Sequence, residues 1–401
     1  MKRVISFVAL ACILASSMTV FARTWTDQTG QFQVEAELVA VRDGKAYLEK
    51  TDGTVISVPL DQLSDADQEY LASLPEYKDL FESASESNSE PTEPLPEAGE
   101  YRRFEEMGWG VESLAFSPDG RFLAAGKMDK AIYVFDIEAG RKVVEIEDLE
   151  GLGQVTALAF SPDGTKLLSG GYTGRIQIWD VSDTGQLTEA ERFVGHSGEI
   201  NAITVSQDGK LVLSGGGDKK VCCWTLDDAR EQFSIDGFKG DVKATFITQG
   251  VTQGLASDGD VVALIDMEKG EVIQQMEIDE RSTQFVTIAP DGSLVALSDS
   301  YNILAWDIQS GEGQPEFEDR EIQWFGCFTP NGRYLLSGGR GKVNLWDVSN
   351  SRKIYEFDTA DALYVQTLAC SQDNRFLAAI PSAAGQDLQV FRLPPEVYSE
   401  E

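Results

Sequence analysis

Between Val111 and Leu393 the apolar and polar positions run through the same cycle seven times. Each cycle is a short apolar strand, a Ser-Pro-Asp-Gly-like turn, a second apolar strand, a polar turn, and a third strand closing near Trp-Asp. The turns fall at Ser117-Pro118-Asp119-Gly120, Ser161-Pro162-Asp163-Gly164, Ser206-Gln207-Asp208-Gly209, a degenerate Thr248-Gln249, Ala289-Pro290-Asp291-Gly292, Thr329-Pro330-Asn331-Gly332 and Ser371-Gln372-Asp373-Asn374. Their spacing, roughly 40 to 45 residues, predicts four short strands per cycle and hence a β-propeller blade. One such sheet cannot bury both faces alone, whereas a ring of them can. The fold class expected is therefore all-β, a seven-bladed propeller. The last cycle supplies only three strands before Pro394-Pro395, and an orphan segment, Glu100 to Met107, precedes the first. That segment is expected to close the ring as the missing outer strand and so remove an exposed edge.

The pattern ahead of the ring is different. Phe32, Val34, Ala36 and Leu38 alternate with Gln33, Glu35 and Glu37, the period of a half-buried strand. Asp43-Gly44 and Asp52-Gly53 turn the chain into two further strands. Ser64, three residues before Asp67, approximates a capping box for a short helix. This predicts a small meander barrel over residues 23–75. Residues 76–100, rich in Glu and Ser with Pro91, Pro94 and Pro96, read as a flexible acidic linker. The propeller then covers 101–393, and 394–401 is an acidic tail.

The third strands close with Val134-Phe135-Asp136, Ile178-Trp179-Asp180, Cys223-Trp224-Thr225, Leu264-Ile265-Asp266, Ala305-Trp306-Asp307, Leu345-Trp346-Asp347 and Val390-Phe391-Arg392. The ring thus resembles the WD-repeat family. The resemblance implies a structural tetrad of His196, Ser214, Asp218 and Trp224, a hydrogen-bonded relay present only in the third unit because the chain has a single histidine. The strings Arg23-Thr24-Trp25-Thr26-Asp27, Phe32 to Val39 and Val58 to Asp67 resemble the Sla homology domain. That resemblance implies an SH3-like module that binds proteins or peptides, of the kind found in exported bacterial proteins.

Charge narrows the partners. The formal net charge is −34 over 401 residues, and such a surface repels phosphate backbones and anionic membranes. Nucleic acid is therefore excluded and basic proteins or peptides are favoured. A second reading of the acidity, as a solubility device, stays open. Lys2 and Arg3 before an apolar run from Val4 to Leu14, with Val20-Phe21-Ala22 following, form the pattern of a secretory signal peptide, residues 1–22, cleaved after Ala22. The run is too short for a membrane anchor, and the lipoprotein alternative at Cys12 lacks a leucine-like residue at Ala9. The expected location is periplasmic or extracellular, and nothing in the sequence sets the oligomeric state. Cys327 and Cys370 could pair, or could remain small buried fillers.

Candidate chemistry is sparse. A single histidine rules out a multi-histidine metal site. The Gly-rich strings Ser214 to Lys220 and Ser337 to Lys342 fail the phosphate-loop spacing, and φ > 0 in a turn accounts for their glycines. No cofactor or metal is implied. The paired acids Asp258 with Asp260 and Asp227 with Asp228 keep open an alternative, a carboxylate- or calcium-dependent extracytoplasmic enzyme working in the propeller channel. The preferred reading is a non-catalytic scaffold that binds proteins or peptides through the propeller rim. On that rim the partner-binding candidates are Trp109, Glu112, Met128, Tyr172, Asn201, Trp324 and Tyr364, with Thr156, Gln284 and Gln366 at corresponding positions. Large aromatics aimed at solvent are suited to interface hot spots.

Overall fold

The structure is a computed structural model. It describes residues 23–26, 33–42, 45–50, 55–60, 63–73 and 97–398, without 106, 108–109, 150, 249, 278–284, 299–301, 315–316, 319–320, 360–361 and 383–386. The expected leader and most of the expected linker lie outside the described residues. Two compact units are present, residues 1–94 and 95–401.

In the smaller unit, β1 (Arg23–Thr26), β2 (Gln33–Arg42), β3 (Lys45–Lys50) and β4 (Val55–Pro59) form an antiparallel meander in that order. Trp25, Ala36, Val41, Ala46, Leu48, Leu63 and Leu71 make its core. The core phase of β2 changes from even to odd positions at a bulge between Leu38 and Ala40, which leaves Val39 exposed. α1 (Asp65–Ser73) starts beside the expected cap. Ser64 Oγ accepts from the Asp67 N–H at 3.3 Å and donates to Asp67 Oδ2 at 2.9 Å. The same carboxylate oxygen takes the Thr26 N–H at 2.7 Å, so the cap also fastens the helix to β1.

The larger unit is a seven-bladed propeller of four-stranded antiparallel sheets. Six blades are contiguous in sequence: residues 111–146, 155–194, 200–235, 244–277, 286–318 and 325–358. The seventh combines Val365–Cys370, Phe376–Pro381 and Leu388–Arg392 with β5 (Gly99–Phe104), whose Arg102 pairs with Val390. The orphan segment therefore does close the ring. Innermost strands touch in succession, and the innermost strand of blade 7 meets that of blade 1.

The core is a set of seven apolar layers, one between each pair of neighbouring blades. Val212, Cys222 and Trp224 face blade 2, packing with Leu168, Ile176 and Ile178. Their strand neighbours Leu213, Val221 and Cys223 face blade 4, packing with Val242, Ala256 and Ile265. Successive residues of a strand point to opposite faces, so a blade with two buried faces reads as an unbroken apolar run. That alternation also keeps Cys222 and Cys223 apart. All four described thiols are free, and burial pushes Cys222, Cys223 and Cys327 up to about 12. At neutral pH they are inert fillers.

The repeated turns work by side-chain capping. Ser117 Oγ accepts from the Phe122 N–H at 2.8 Å and donates to Asp119 Oδ1, which also accepts from the Arg121 N–H at 3.0 Å. Ser161, Ser206, Thr329 and Ser371 repeat the device with Asp163, Asp208, Asn331 and Asp373. The last turn residue has φ near +70° in the glycine copies, and Asn374 takes the same conformation at 57°. The glycines at the ends of the second strands have another cause. Gly215, Gly216, Gly338 and Gly339 do not carry positive φ, which falls instead on Lys219 and Gly341. A Cβ at Gly170 would stand 2.7 Å from Ile200 Cγ2, and one at Gly338 would stand 2.8 Å from Val365 Cβ, each on the next blade. Close approach of the next blade selects glycine at Gly170, Gly215 and Gly338, and at Gly216 and Gly339 a Cβ would strike His196 or Gln323 of the loop entering the same blade.

Beyond the last strand, α2 (Pro395–Tyr398) buries Val397 between blades 6 and 7. Asn331 Nδ2 donates to Val397 O at 3.1 Å and Tyr334 Oη to Glu396 O at 3.2 Å. The described part of the acidic tail is thus a clasp on blade 6.

Deleting residues 99–104 uncovers the outer edge of blade 7 and part of the layer against blade 1. The expected outcome is a cooperative loss of stability across the whole ring, measured by scanning calorimetry. A truncated propeller that melts like the intact one would show that the ring does not depend on this strand.

Candidate functional site

The third blade carries the complete tetrad. Trp224 Nε1 donates to Ser214 Oγ at 3.0 Å, Ser214 Oγ lies 2.8 Å from His196 Nε2, and His196 Nδ1 lies 2.8 Å from Asp218 Oδ1. A carboxylate can only accept, so Nδ1 carries the ring proton and Nε2 accepts from the serine. Asp218 Oδ2 also accepts from the Ser197 N–H at 2.9 Å. Burial disfavours the Asp218 charge, but the His196 ring and these N–H donors outweigh it and hold the carboxyl below the ordinary aspartate value. Each member has its polar atoms engaged inside the sheet, and His196 is only 4% exposed. The geometry ties a loop to two strands and leaves no nucleophile facing solvent.

Blade 4 makes a comparable tie with other chemistry, and blade 1 buries a lysine at the corresponding strand end. In blade 1, Lys127 stands at the end of the second strand, where Gly171 and Gly216 stand in blades 2 and 3. Its ammonium donates to Asp129 Oδ2 at 2.7 Å and lies 4.7 Å from the Tyr133 ring centroid. In blade 4, Asp258 Oδ2 accepts from the Lys239 and Gly240 N–H groups, and Oδ1 from those of Asp260 and Val261. Burial raises its pKa less than these four donors lower it. Asp258 is therefore a loop clamp, and Asp228 is taken up by the Thr225 hydroxyl. Among the described residues no three His, Cys, Asp or Glu side chains gather to hold a metal ion.

The rim candidates share one end of the blades. Backbone N–H groups of Met128, Tyr172, Gly217 and Ser382 donate to the carbonyls of Gly110, Gln154, Glu199 and Tyr364, the same clamp in blades 1, 2, 3 and 7. Met128 and Tyr364 are exposed, and Tyr172 is 60% exposed. Trp324 is half-buried, its ring 5.4 Å from that of Tyr364 on the neighbouring blade. Leu363, 64% exposed, and Phe325 extend this patch, and sequence patterning did not single them out. Among the described residues, the exposed apolar side chains at this end fall on blades 6, 7, 1 and 2, which are consecutive around the ring. Trp109 and Gln284 lie outside the described residues.

Glu112, Thr156, Asn201 and Gln366 occupy bulges at the start of the innermost strands, where each is skipped by the pairing register. A bulge re-aims a side chain at the point where a strand begins. Glu112 is half-buried, and burial together with the Glu199 charge raises its pKa. Thr156 instead donates to Ile200 O at 2.5 Å, joining blade 2 to blade 3. Of the four bulge residues, Thr156 is structural on this geometry.

The fold and tetrad define a WD-repeat propeller with a small separate module before it. Comparison with known proteins agrees. Residues 18–78 match the SLA1 homology domain 1, and residues 102–136, 146–180, 188–225 and 324–347 match the WD domain, G-beta repeat. The matched repeats lie in blades 1, 2, 3 and 6. The chain is 51% identical over 49 residues to the actin cytoskeleton-regulatory complex protein sla1 of Schizosaccharomyces pombe, covering 12% of this chain and 4% of that protein. It is 45% identical over 62 residues to SLA1 of Candida albicans, covering 14% of this chain and 5% of that protein. The similarity spans only a small part of those relatives. The chain thus combines an SLA1 homology domain 1 with WD repeats in a seven-bladed propeller.

Replacing His196 by Ala leaves the Ser214 hydroxyl and the Asp218 carboxylate without their buried partner. Unsatisfied groups of this kind cost about 1–3 kcal/mol each, and the expected result is a lowered urea midpoint at neutral pH. A depressed carboxyl pKa contributes stability above its unfolded value that is lost as pH falls through its folded value. Stability should therefore drop as pH falls below 3.8, and Asp218→Asn should flatten part of that acid limb in pH-dependent unfolding.

Proposed function

We propose that the protein is an exported, non-catalytic scaffold whose propeller binds partner proteins or peptides through the apolar arc on blades 6, 7, 1 and 2. The observation that carries this reading is the exposed group of Tyr172, Met128, Leu363 and Tyr364, with Trp324 in tilted ring contact with Tyr364, at one end of a ring whose sheets are otherwise buried against each other. Aromatic side chains bury a large apolar face while keeping a polar edge hydrated. SLA1 homology and WD-repeat domains characteristically bind proteins or peptides, and their presence in one chain supports an adaptor with two binding modules. The high negative charge favours basic partners. Export rests on the pattern at Lys2, Arg3, Val4 to Leu14 and Ala22.

Two measurements test it. Affinity capture with Tyr172→Ala and Tyr364→Ala as baits is expected to lose the partners retained by the wild-type chain, with a binding cost of about 2 kcal/mol or more for a true hot spot. Partners retained by both variants would place binding elsewhere. The intact mass of the protein recovered from its producing cells is expected to correspond to a chain beginning at Arg23, and a retained Met1 would remove export from the proposal.

A further inference from the structure

Two thiols meet in the seam between blades 6 and 7. Cys327 lies in the innermost strand of blade 6 and Cys370 in that of blade 7, and these strands touch. The register fixes where each side chain points. Cys327 pairs with Leu336, next to the pairing of Leu335 with Trp346, and so holds the place that Thr204 holds in blade 3. That place reaches the following blade: Thr204 Oγ1 donates to Thr245 O at 2.6 Å and lies 3.0 Å from Thr245 Oγ1. Cys370 pairs with Leu377, itself opposite Phe391, and so holds the place of Val205, whose face packs on the preceding blade. The two cysteines therefore face each other, and both border the apolar layer of Leu336, Leu345, Leu368 and Leu377. The Cys370 backbone N–H reaches the Cys327 sulfur, and burial, followed by the Cys327 charge, holds the Cys370 thiol well above its ordinary value.

We infer that Cys327 and Cys370 are a disulfide-forming pair that staples blade 6 to blade 7 when the chain folds in the presence of a disulfide oxidant. One thiolate attacks a sulfur of the oxidant, half of which departs as a thiolate and leaves a mixed disulfide on the protein. The thiolate of the second cysteine attacks the protein sulfur of that bond and expels the other half. Two protein thiols lose their hydrogens, and one oxidant disulfide becomes two thiols. In the closed ring both sulfurs are buried and stay protonated, so the exchange belongs to the stage before blades 6 and 7 pack. Cys222 and Cys223 take no part, since they point into the layers on either side of blade 3. The bridge encloses the three remaining strands of blade 6 in its loop and so restricts the unfolded chain. In the cell the oxidant comes with export, as proposed above, and the pairing itself can be tested without it.

The test refolds the full chain from denaturant with a mixture of oxidised and reduced glutathione, in parallel with dithiothreitol alone, followed by alkylation and non-reducing tryptic mapping. The glutathione sample is expected to contain the peptides Glu321–Arg333 and Ile354–Arg375 joined to each other, at a mass two hydrogens below their sum. The bridged chain should melt at a higher temperature than its reduced form, and Cys327→Ala should abolish that difference. Recovery of both peptides as alkylated thiols or glutathione adducts, or bridged to any other cysteine, would overturn the inference. A chain that bridges in vitro but is recovered reduced from its producing cells would count against export and leave the pair standing.

Discussion

Everything in the larger unit depends on apolar contact between the faces of neighbouring blades. No blade has an interior of its own. Val212 and Leu213, adjacent in sequence, serve different layers, and Trp179, Trp224 and Trp346 each anchor one layer. Because each sheet contributes to two layers, the ring is stable only when closed, and closure falls to β5, drawn from the opposite end of the domain in sequence. The glycines near the ends of the second strands follow from the same constraint, since blades converge toward the axis and a Cβ at Gly170 or Gly338 would strike the next blade.

Polar groups are arranged around that packing rather than within it. At one end of the ring, serine and aspartate side chains satisfy the backbone of the tight turns. At the other, each blade needs a tie between the loop that enters it and the turn after its second strand. The tie is imidazole and carboxylate in blade 3, a backbone N–H to carbonyl bond between Met128 and Gly110 in blade 1, and a carboxylate with four backbone donors in blade 4. Different residues meet one requirement, a buried N–H or C=O that must be paired. The sole histidine and the buried acids are thereby committed to architecture. Interaction is left to what remains exposed, the apolar arc at the tied end.

Tying and binding share one end of the ring for a geometric reason. Loops that enter innermost strands are short and clamped, so side chains such as Tyr172 and Tyr364 are presented on a rigid base with little conformational freedom left to lose on binding.

Alternation and turn chemistry by themselves determined the number of blades, the positions of the Ser-Pro-Asp-Gly turns and the need for an outer strand from residues near 100, while the four members of the tetrad came from the resemblance to WD repeats. These are local or periodic properties, and each repeat states them again. Tertiary structure decided the rest. Gly215 reads as a turn residue until Val242 of the next blade is in place, and Gly216 until His196 is. Lys127 reads as a surface lysine until Asp129 and the Tyr133 ring are seen to receive its buried ammonium. The contact between Trp324 and Tyr364 and the consecutive placement of the exposed apolar side chains at the tied end join residues that only the tertiary structure brings together, and no pattern within a single repeat encodes that meeting.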